Sequence, residues 1–420
     1  MRRYLRESIL EIFGDGMDTA ALEKLKTIPA RGWPKLLDWM DASGFALYFL
    51  ARITETGAER YLPSNVLERL QQNLRDNRER TAAGITELLR IQEAFAKAGI
   101  EFLLLKGLSL VPQACPDAAL RLQLDIDLLV DSRNTYATQT ALATLGYHLS
   151  AVSGKTWEYR TFADKLPDRC DLYKRKQKRS VEIHVPPSNV FQRLYENGEQ
   201  YVFEGCAVQV LSAVERFLGQ AEHIQKHMRD EWSRVSWLLE FRNNIQFYRL
   251  NQNFWQQVLE AIRTSSSRWE ALGAATALTR TALTLMPEVP LLREAEAALS
   301  PLMKLWIEHY GRRVLTSDYP GSKLYLLQPC HTASRRRRLL PLHAPQSVAT
   351  PGGRRDLTVS VHILRDFTRH TALRAAFHVR EALLYVVEFV RWHQLLALHR
   401  NTASVSASAT RRDSRAEASL

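Results

Sequence analysis

Cysteine is scarce in this sequence. Its 420 residues include four cysteines, which are widely separated and form no CxxC pair. They are Cys115, Cys170, Cys206 and Cys330. This scatter excludes a disulfide-stapled scaffold, and no histidine grouping beside them resembles a zinc site. We therefore expect the four cysteines to be reduced thiols.

Long apolar runs are also missing. No stretch without charged residues is long enough to cross a bilayer, which predicts that the chain has no transmembrane segment. The first residues, MRRYLRESILEIF, place Glu7 and Glu11 among their apolar positions, so they lack the uninterrupted core of a signal peptide. They predict an amphipathic helix, and we expect a cytoplasmic protein.

Negative charge is in deficit. The 57 Lys and Arg residues outnumber the 45 Asp and Glu residues, which gives a formal net charge of +12. Such a balance favours polyanionic partners, which include nucleotides, nucleic acids and anionic membrane surfaces. It does not choose among them.

Against this basic background, one pair of carboxylates stands in an apolar stretch. Asp125 and Asp127 lie at i and i+2 in DIDLLV, and in a β-strand this spacing puts both side chains on one face. Two anions this close need a neutralising cation, unless both are simply solvated at a strand end. Oxygen ligands favour Mg²⁺ or Mn²⁺, the former usually bound together with substrate phosphates.

A strand and turn precede the carboxylate pair. Residues 102–105, FLLL, predict a short buried strand, and Lys106 and Gly107 follow where that strand should turn. A glycine there lets backbone N–H groups approach an anion, and the lysine adds positive charge. Many such turns only change the direction of the chain, so the pattern gains meaning from its neighbours.

A third carboxylate lies downstream. The segments RCDLY and SVEIHV, residues 169–173 and 180–185, alternate like the arms of a hairpin around a basic tip, Lys174–Arg179. Glu182 and His184 then share one face. If this hairpin lies beside the strand of Asp125 and Asp127, three carboxylates can hold two metal ions.

Together these residues resemble the polymerase-β-type nucleotidyltransferase superfamily, specifically its poorly characterised bacterial "nucleotidyltransferase family protein" branch. The matching positions are Lys106, Gly107, Arg121, Asp125, Asp127, Glu182 and His184. A second block also looks like the family: His223 and His227 in a helical segment before WSRVSWLLE. The resemblance covers the middle third of the chain.

The resemblance implies an enzyme that moves a nucleoside monophosphate from a nucleoside triphosphate, such as ATP, to an acceptor, with release of pyrophosphate. Asp125, Asp127 and Glu182 would be catalytic and would bind Mg²⁺ or Mn²⁺. The triphosphate would be bound by Lys106, Gly107, Ser109 and Arg121, although Arg121 can instead orient the Asp-bearing strand. His184, His223 and His227 would support these groups, whereas the pair His223 and His227 can equally be ordinary helix packing.

The order of patterns predicts an α+β fold, in which a small mixed β-sheet with helices on one side is embedded in large N- and C-terminal helical regions. Within it, a long helical pattern runs from Asn65 to Lys97, Asp131 or Ser132 caps a helix that ends near Leu145, and Ser212 with Glu215 forms a capping box. The expected segments are an N-terminal helical lobe at 1–97, the nucleotidyltransferase core at 98–210, a helical lobe at 211–314, a basic linker rich in Pro, Gly and Arg at 315–372, a C-terminal helix at 373–400 and a disordered tail at 401–420.

Two alternatives to the enzyme follow from other features. Leu108 stands after Gly107, where the superfamily has a small residue, which favours a binding or regulatory protein that keeps the fold with little or no turnover. The basic segments Lys174–Arg179 and Arg335–Arg338 can attract an anionic partner, which favours a nucleic-acid-binding protein, or they can be solvated loops. The acceptor of a transferase, whether a small molecule, a protein or a tRNA, is not encoded in these patterns.

Overall fold

The fold is taken from a computed structural model of the chain. It describes residues 2–14, 19–161, 172–174, 179–203, 206–230, 234–263, 265–283, 286–318, 321–329 and 375–399. The predicted linker at 315–372 and tail at 401–420 therefore lie largely or wholly outside the described residues.

A seven-stranded mixed sheet forms the centre of the fold. Its strands are β1 (Phe102–Leu105), β2 (Asp125–Val130), β3 (His148–Ser153), β4 (Thr156–Arg160), β5 (Ser180–His184), β6 (Glu199–Phe203) and β7 (Cys206–Val210). Their order in space is β3-β4-β5-β2-β1-β7-β6. The pairs β2–β5 and β1–β7 are parallel, and the other pairs are antiparallel.

The predicted hairpin is wrong for β5, and residues 169–171 of its other arm lie outside the described residues. β5 lies between β2 and β4, so both of its edges are already paired. Leu172 and Tyr173 lie in a turn, and the Tyr173 hydroxyl donates a hydrogen bond of 2.9 Å to Asp41. The alternation of β5 predicted its two faces correctly, but alternation carries no information about which strand lies alongside.

Helices cover both faces of the sheet. One face packs on α5 (Ser64–Lys97) and α6 (Thr135–Thr144), and a core of mainly aliphatic side chains fills the space between them. The other face carries a smaller cluster in which Leu103 and Leu129 meet Phe191 of a short helix, α7 (Ser188–Glu196). The α+β class with a mixed sheet is therefore confirmed, with α7 as an addition on the second face.

The remaining helices flank this core. Before it come α1 (Arg2–Glu11), α2 (Thr19–Lys26), α3 (Trp33–Ala42) and α4 (Ala46–Glu55). After it come α8 (Ala213–Met228), α9 (Val235–Tyr248), α10 (Gln252–Arg263), α11 (Ser266–Leu283), α12 (Pro290–Ala297), α13 (Pro301–Trp306) and α14 (Arg312–Leu315). A π-helical turn at Ile307–Gly311 joins the last two. None of the helices that the structure describes is long and apolar enough to cross a membrane.

The described residues fall into two compact units. The first is built from residues up to 228 and from 234 to 321, and it contains the whole sheet. The second contains residues 229–230, 322–329 and the helix at 375–399. One side of that helix exposes a series of large apolar side chains, which we call the apolar stripe: Val379, Leu383, Val386, Val387 and Val390.

Candidate active site

Neighbouring strands bring the predicted carboxylates together. In the parallel pair β2–β5, Asp127 lies directly beside Glu182, and Asp125 lies beside Ser180. Residues paired in this way point to the same face of a sheet, so the carboxylates of Asp125, Asp127 and Glu182 share one face. On the other side of β2, Asp127 pairs with Leu105, the last residue of β1, which delivers the next residue, Lys106, to the same place.

Asp127 is the most enclosed of the three carboxylates. It is 2% exposed, and its Oδ1 accepts hydrogen bonds from Lys106 Nζ at 2.7 Å and from His184 Nε2 at 2.9 Å when that nitrogen carries the proton. Burial alone would raise the pKa of this carboxyl group. The hydrogen bond from His184 and the charge of Lys106 outweigh burial and hold the pKa well below its usual range, so Asp127 is ionised.

The positive charges near Asp125 and Glu182 do not fully compensate the negative charge of the three carboxylates. Burial and the charge of Asp127 raise the pKa of Asp125. Burial, followed by the charges of Asp125 and Asp127, raises the pKa of Glu182 to about 7. Both shifts show that ionising a second and third carboxyl group here is costly, and a nearby cation would remove that cost.

The donor set fits such a cation. Ligand atoms of Asp127, Glu182 and His184 all lie within 4.8 Å of one another, and His184 Nε2 is 3.8 Å from Glu182 Oε2. Carboxylate oxygens are the preferred ligands of Mg²⁺ and Mn²⁺, and an imidazole is compatible with the latter. His184 thus lies among the candidate ligands, closer to the centre of the site than a supporting residue.

The turn after β1 has an unusual backbone. Lys106 and Gly107 have φ values of 46° and 50°, a left-handed region that a lysine adopts at a cost. A side chain on Gly107 would displace Gln123, because a Cβ there would lie 2.1 Å from Gln123 Nε2. That amide donates a hydrogen bond of 2.9 Å to the carbonyl of Asp125, so one glutamine connects the turn to the first residue of β2.

Ser109 and Arg121 are engaged within the protein. The Ser109 hydroxyl is buried and donates to the Lys106 carbonyl at 2.9 Å. Arg121 Nε donates to Glu240 Oε1 on α9 at 3.0 Å, and the Tyr48 hydroxyl donates to the same oxygen at 2.9 Å. Burial opposes the charge of Arg121, but the charge of Glu240 prevails and raises the pKa of the guanidinium.

The two helical histidines form one cluster with a tryptophan. The ring centroids of His223 and His227 on α8 are 4.5 Å apart, and they lie 4.5 Å and 4.6 Å from the ring of Trp237 on α9. Burial is the largest of the causes that lower the pKa of His223 well below its usual value and that of His227 to about 4, and the charge of Lys106 contributes to both shifts. Both rings are therefore neutral at physiological pH and lie within electrostatic reach of the carboxylate site.

Sequence reasoning missed Gln123, and it named Trp237 and Glu240 only as members of WSRVSWLLE, because no local pattern announces their tertiary contacts. Within the basic tip Lys174–Arg179, Lys174 is exposed and Arg179 is buried. Residues 175–178 and Arg335–Arg338 lie outside the described residues.

Comparisons with known proteins bear on this site. Residues 29–283, more than half of the chain, match the model of a family described as "Uncharacterised nucleotidyltransferase". A solution structure of the antibiotic-resistance factor ANT(2'')-Ia is similar at 11% identity with a TM-score of 0.32, covering 44% of this chain and 92% of that one. An antigenic nucleotidyltransferase-like protein from Paracoccidioides brasiliensis is similar at 9% identity with a TM-score of 0.27, covering 45% and 92%. A search of curated proteins gave no match.

Proposed function

Because this chain belongs to the family of uncharacterised nucleotidyltransferases, we propose that it moves a nucleoside monophosphate from a nucleoside triphosphate to an acceptor hydroxyl or similar group and releases pyrophosphate. The observation that carries this proposal is the register of β2 and β5, which sets Glu182 beside Asp127 on the face that also bears Asp125. Three carboxylates crowded at one sheet edge suit a reaction in which a polyphosphate and its cation must be bound together.

In this proposal the carboxylates hold a divalent cation. Asp125, Asp127 and Glu182, with His184 beside them, would bind Mg²⁺ or Mn²⁺. The ion would supply positive charge to the triphosphate and to the departing pyrophosphate. The pKa shifts of Asp125 and Glu182 support this assignment, because both report uncompensated negative charge.

The protein's own groups would carry the proton and orient the donor. The acceptor oxygen attacks the α-phosphorus, the bond to the β-phosphate oxygen breaks, and pyrophosphate leaves with that electron pair. Glu182, which lies beside Asp127 on the face that bears the carboxylates, would take the acceptor's proton. Lys106 and the backbone amides after Gly107 would stabilise charge on the phosphates.

The remaining predicted residues would act around this centre. We assign Arg121 to positioning, since its ion pair with Glu240 ties the segment before β2 to α9. His223 and His227 would form, with Trp237, an uncharged wall beside the donor. Ser109 would stabilise the turn through its bond to the Lys106 carbonyl.

Calorimetry with ATP, CTP, GTP and UTP in the presence of Mg²⁺ tests the proposal. We expect metal-dependent binding of at least one nucleotide by the wild type and its loss in Asp125→Ala/Asp127→Ala. Glu182→Gln should still bind that nucleotide but fail to release pyrophosphate. Asp131→Asn is a matched control, because Asp131 follows β2 at its far end and is held by Arg133 and Ser188. Failure of the folded wild type to bind any of the four nucleotides would refute the proposed nucleotidyltransferase activity.

A second candidate is a protein that binds nucleotide without turnover. Leu108, which stands where the superfamily has a small residue, is buried, and the neighbouring Ser109 hydroxyl is turned toward the protein backbone. Nucleotide binding that needs Asp125 and Asp127, together with no pyrophosphate release under any acceptor condition, would favour this candidate.

A further inference from the structure

Two arginines are buried against each other beneath the sheet. Arg80 on α5 is 8% exposed, and Arg179, the residue before β5, is 4% exposed. Arg179 Nη2 donates to the backbone carbonyl of Arg80 at 3.2 Å. The guanidinium of Arg179 fits only because residue 84 is a glycine, since a Cβ there would lie 2.5 Å from its central carbon.

Neither guanidinium has an acidic partner among the residues that the structure describes. Arg80 donates to the backbone carbonyl of Leu172, and the Nε atoms of both arginines are buried without a hydrogen-bond acceptor. Burial lowers the pKa of Arg80, and burial followed by the charge of Arg80 lowers that of Arg179 to about 10. Two like charges that are buried without a carboxylate in hydrogen-bond contact are costly, so an anion that is not part of the chain would stabilise them.

The pair lies at the sheet edge that carries the candidate active site. Arg179 immediately precedes Ser180, which pairs with Asp125 in the β2–β5 register. The carboxylate of Asp125 acts electrostatically on both arginines. Alternation along β5 puts Arg179 on the α5 side of the sheet and Glu182 on the opposite side, so this cationic pair is separate from the Lys106 turn.

We propose that Arg80 and Arg179 form a second anion site, which binds a phosphate-type anion beside Asp125. Guanidinium groups suit this ligand because each offers several N–H donors in a fixed plane to phosphate oxygens. Assigning the anion to the reaction rests on the proposed function: a phosphate of the donor that lies beyond the Lys106 turn would supply it, or a phosphate on the acceptor would. The anion site itself does not depend on turnover.

Metal-free titration with inorganic pyrophosphate, together with thermal unfolding, tests the site. We expect the wild type to bind pyrophosphate and Arg179→Met to bind it about 10- to 100-fold more weakly. The melting temperature of Arg179→Met should equal or exceed that of the wild type, because the substitution removes an uncompensated buried charge but keeps the volume of the side chain.

Arg216→Met is the matched control. Arg216 is as buried as Arg80, but it is paired with Glu199 at 3.0 Å. Its loss should lower the melting temperature and leave pyrophosphate affinity unchanged. Gly84→Ala is a second probe that retains every charge: the added methyl group should displace the Arg179 guanidinium and weaken pyrophosphate binding, while alanine suits the helix.

Several results would overturn the proposal. The first is the absence of pyrophosphate binding by the wild type, and the second is unchanged pyrophosphate affinity in both Arg179→Met and Gly84→Ala. The third is a melting temperature that falls as far in Arg179→Met as in Arg216→Met, because Arg179 would then stabilise the fold. Parallel titrations with MgATP separate the two sources of the anion. Weakened MgATP binding in Arg179→Met assigns the site to the donor, and unchanged MgATP binding assigns it to the acceptor.

The outcome is distinguishable from that of the proposed function. Asp125→Ala/Asp127→Ala should lose MgATP binding but keep metal-free pyrophosphate binding. If the wild type binds pyrophosphate through Arg179 but binds no nucleotide with Mg²⁺, the anion site is supported and the nucleotidyltransferase activity is refuted.

Discussion

At the scale of single residues, the candidate site is defined by how its charges are compensated. Asp127 receives hydrogen bonds from Lys106 and His184, whereas Asp125 and Glu182 have pKa values raised by burial and by their neighbours. The histidines beyond them are kept neutral by burial and by nearby cations. Two sets of variants test these contributions, one at a histidine and one at a buried ion pair.

His227 should make stability depend on pH. Its pKa is about 4 in the folded protein against 6.5 for an ordinary histidine, because burial and the charges of Lys226, Lys106 and Arg234 oppose protonation. Between these values the unfolded chain binds a proton that the folded protein does not, so this contribution is complete above pH 6.5 and is lost as the pH falls toward 4. Glu182 acts in the opposite direction, since its pKa is raised.

The difference between the wild type and His227→Gln isolates this contribution. Urea unfolding from pH 4.5 to 7.5 should show that the wild type loses more stability on acidification than the variant does. Parallel curves for the two proteins would contradict a neutral His227 in the folded protein.

The ion pair between Arg121 and Glu240 should be costly to break from one side. Glu240→Gln keeps an acceptor for Tyr48 but leaves the buried charge of Arg121 uncompensated, and we expect a loss of about 3 kcal/mol in the free energy of unfolding. Arg121→Met/Glu240→Gln should recover most of this loss, because no charge then remains buried. A double variant that is as unstable as the sum of the single variants would show that the two residues are not coupled.

At the scale of elements, close helix packing makes a second contrast testable. Gly273 on α11 lies against α12, where a Cβ would be 2.3 Å from the backbone oxygen of Ala295, and backbone cannot move aside as a side chain can. Gly219 on α8 has nothing within 4 Å of the same position. Gly273→Ala should therefore destabilise by about 1–3 kcal/mol, whereas Gly219→Ala should stabilise by up to about 1 kcal/mol. The urea midpoints of both variants test this contrast, and equal shifts would contradict the close approach of Gly273 to the Ala295 backbone.

Local signals located several elements well. The helical pattern from Asn65 to Lys97 corresponds to α5, and the Ser212 hydroxyl accepts a hydrogen bond from the Glu215 amide at 3.3 Å, as the capping-box pattern indicated. The helix expected to end near Leu145 is α6, with Gly146 at a φ of 83° just after it. Periodicity and caps depend on residues within one or two turns, so the sequence alone carries this information.

Non-local features escaped the sequence. Alternation placed Glu182 and His184 on one face, but it did not indicate that the neighbours of β5 are β2 and β4. Gln123 connects the turn to β2, and Arg80 meets Arg179 only after α5 packs on the sheet. Each of these contacts joins positions that nothing in the local pattern relates, so they became visible only in three dimensions.

At the scale of the whole molecule, the helix of the second unit exposes the large side chains of the apolar stripe. Leu383 is 65% exposed and Val390 is 56% exposed within the apolar stripe. Exposed apolar patches promote association, while substitution of exposed side chains usually changes stability by about 0.5 kcal/mol or less. Leu383→Lys/Val390→Lys should therefore keep the wild-type melting temperature and raise the ammonium sulfate concentration needed for precipitation. An unchanged precipitation point would show that the stripe does not govern solubility.

The position of β5 also bears on how the protein is made. During synthesis β1 to β4 emerge first, yet β5 lies between β2 and β4, so the nascent chain must leave a gap in the sheet or close it last. Until then Glu182 and His184 are missing from the edge that bears Asp125 and Asp127. The carboxylate site is thus completed only when β5 pairs with both β2 and β4, and ligand binding would report that pairing.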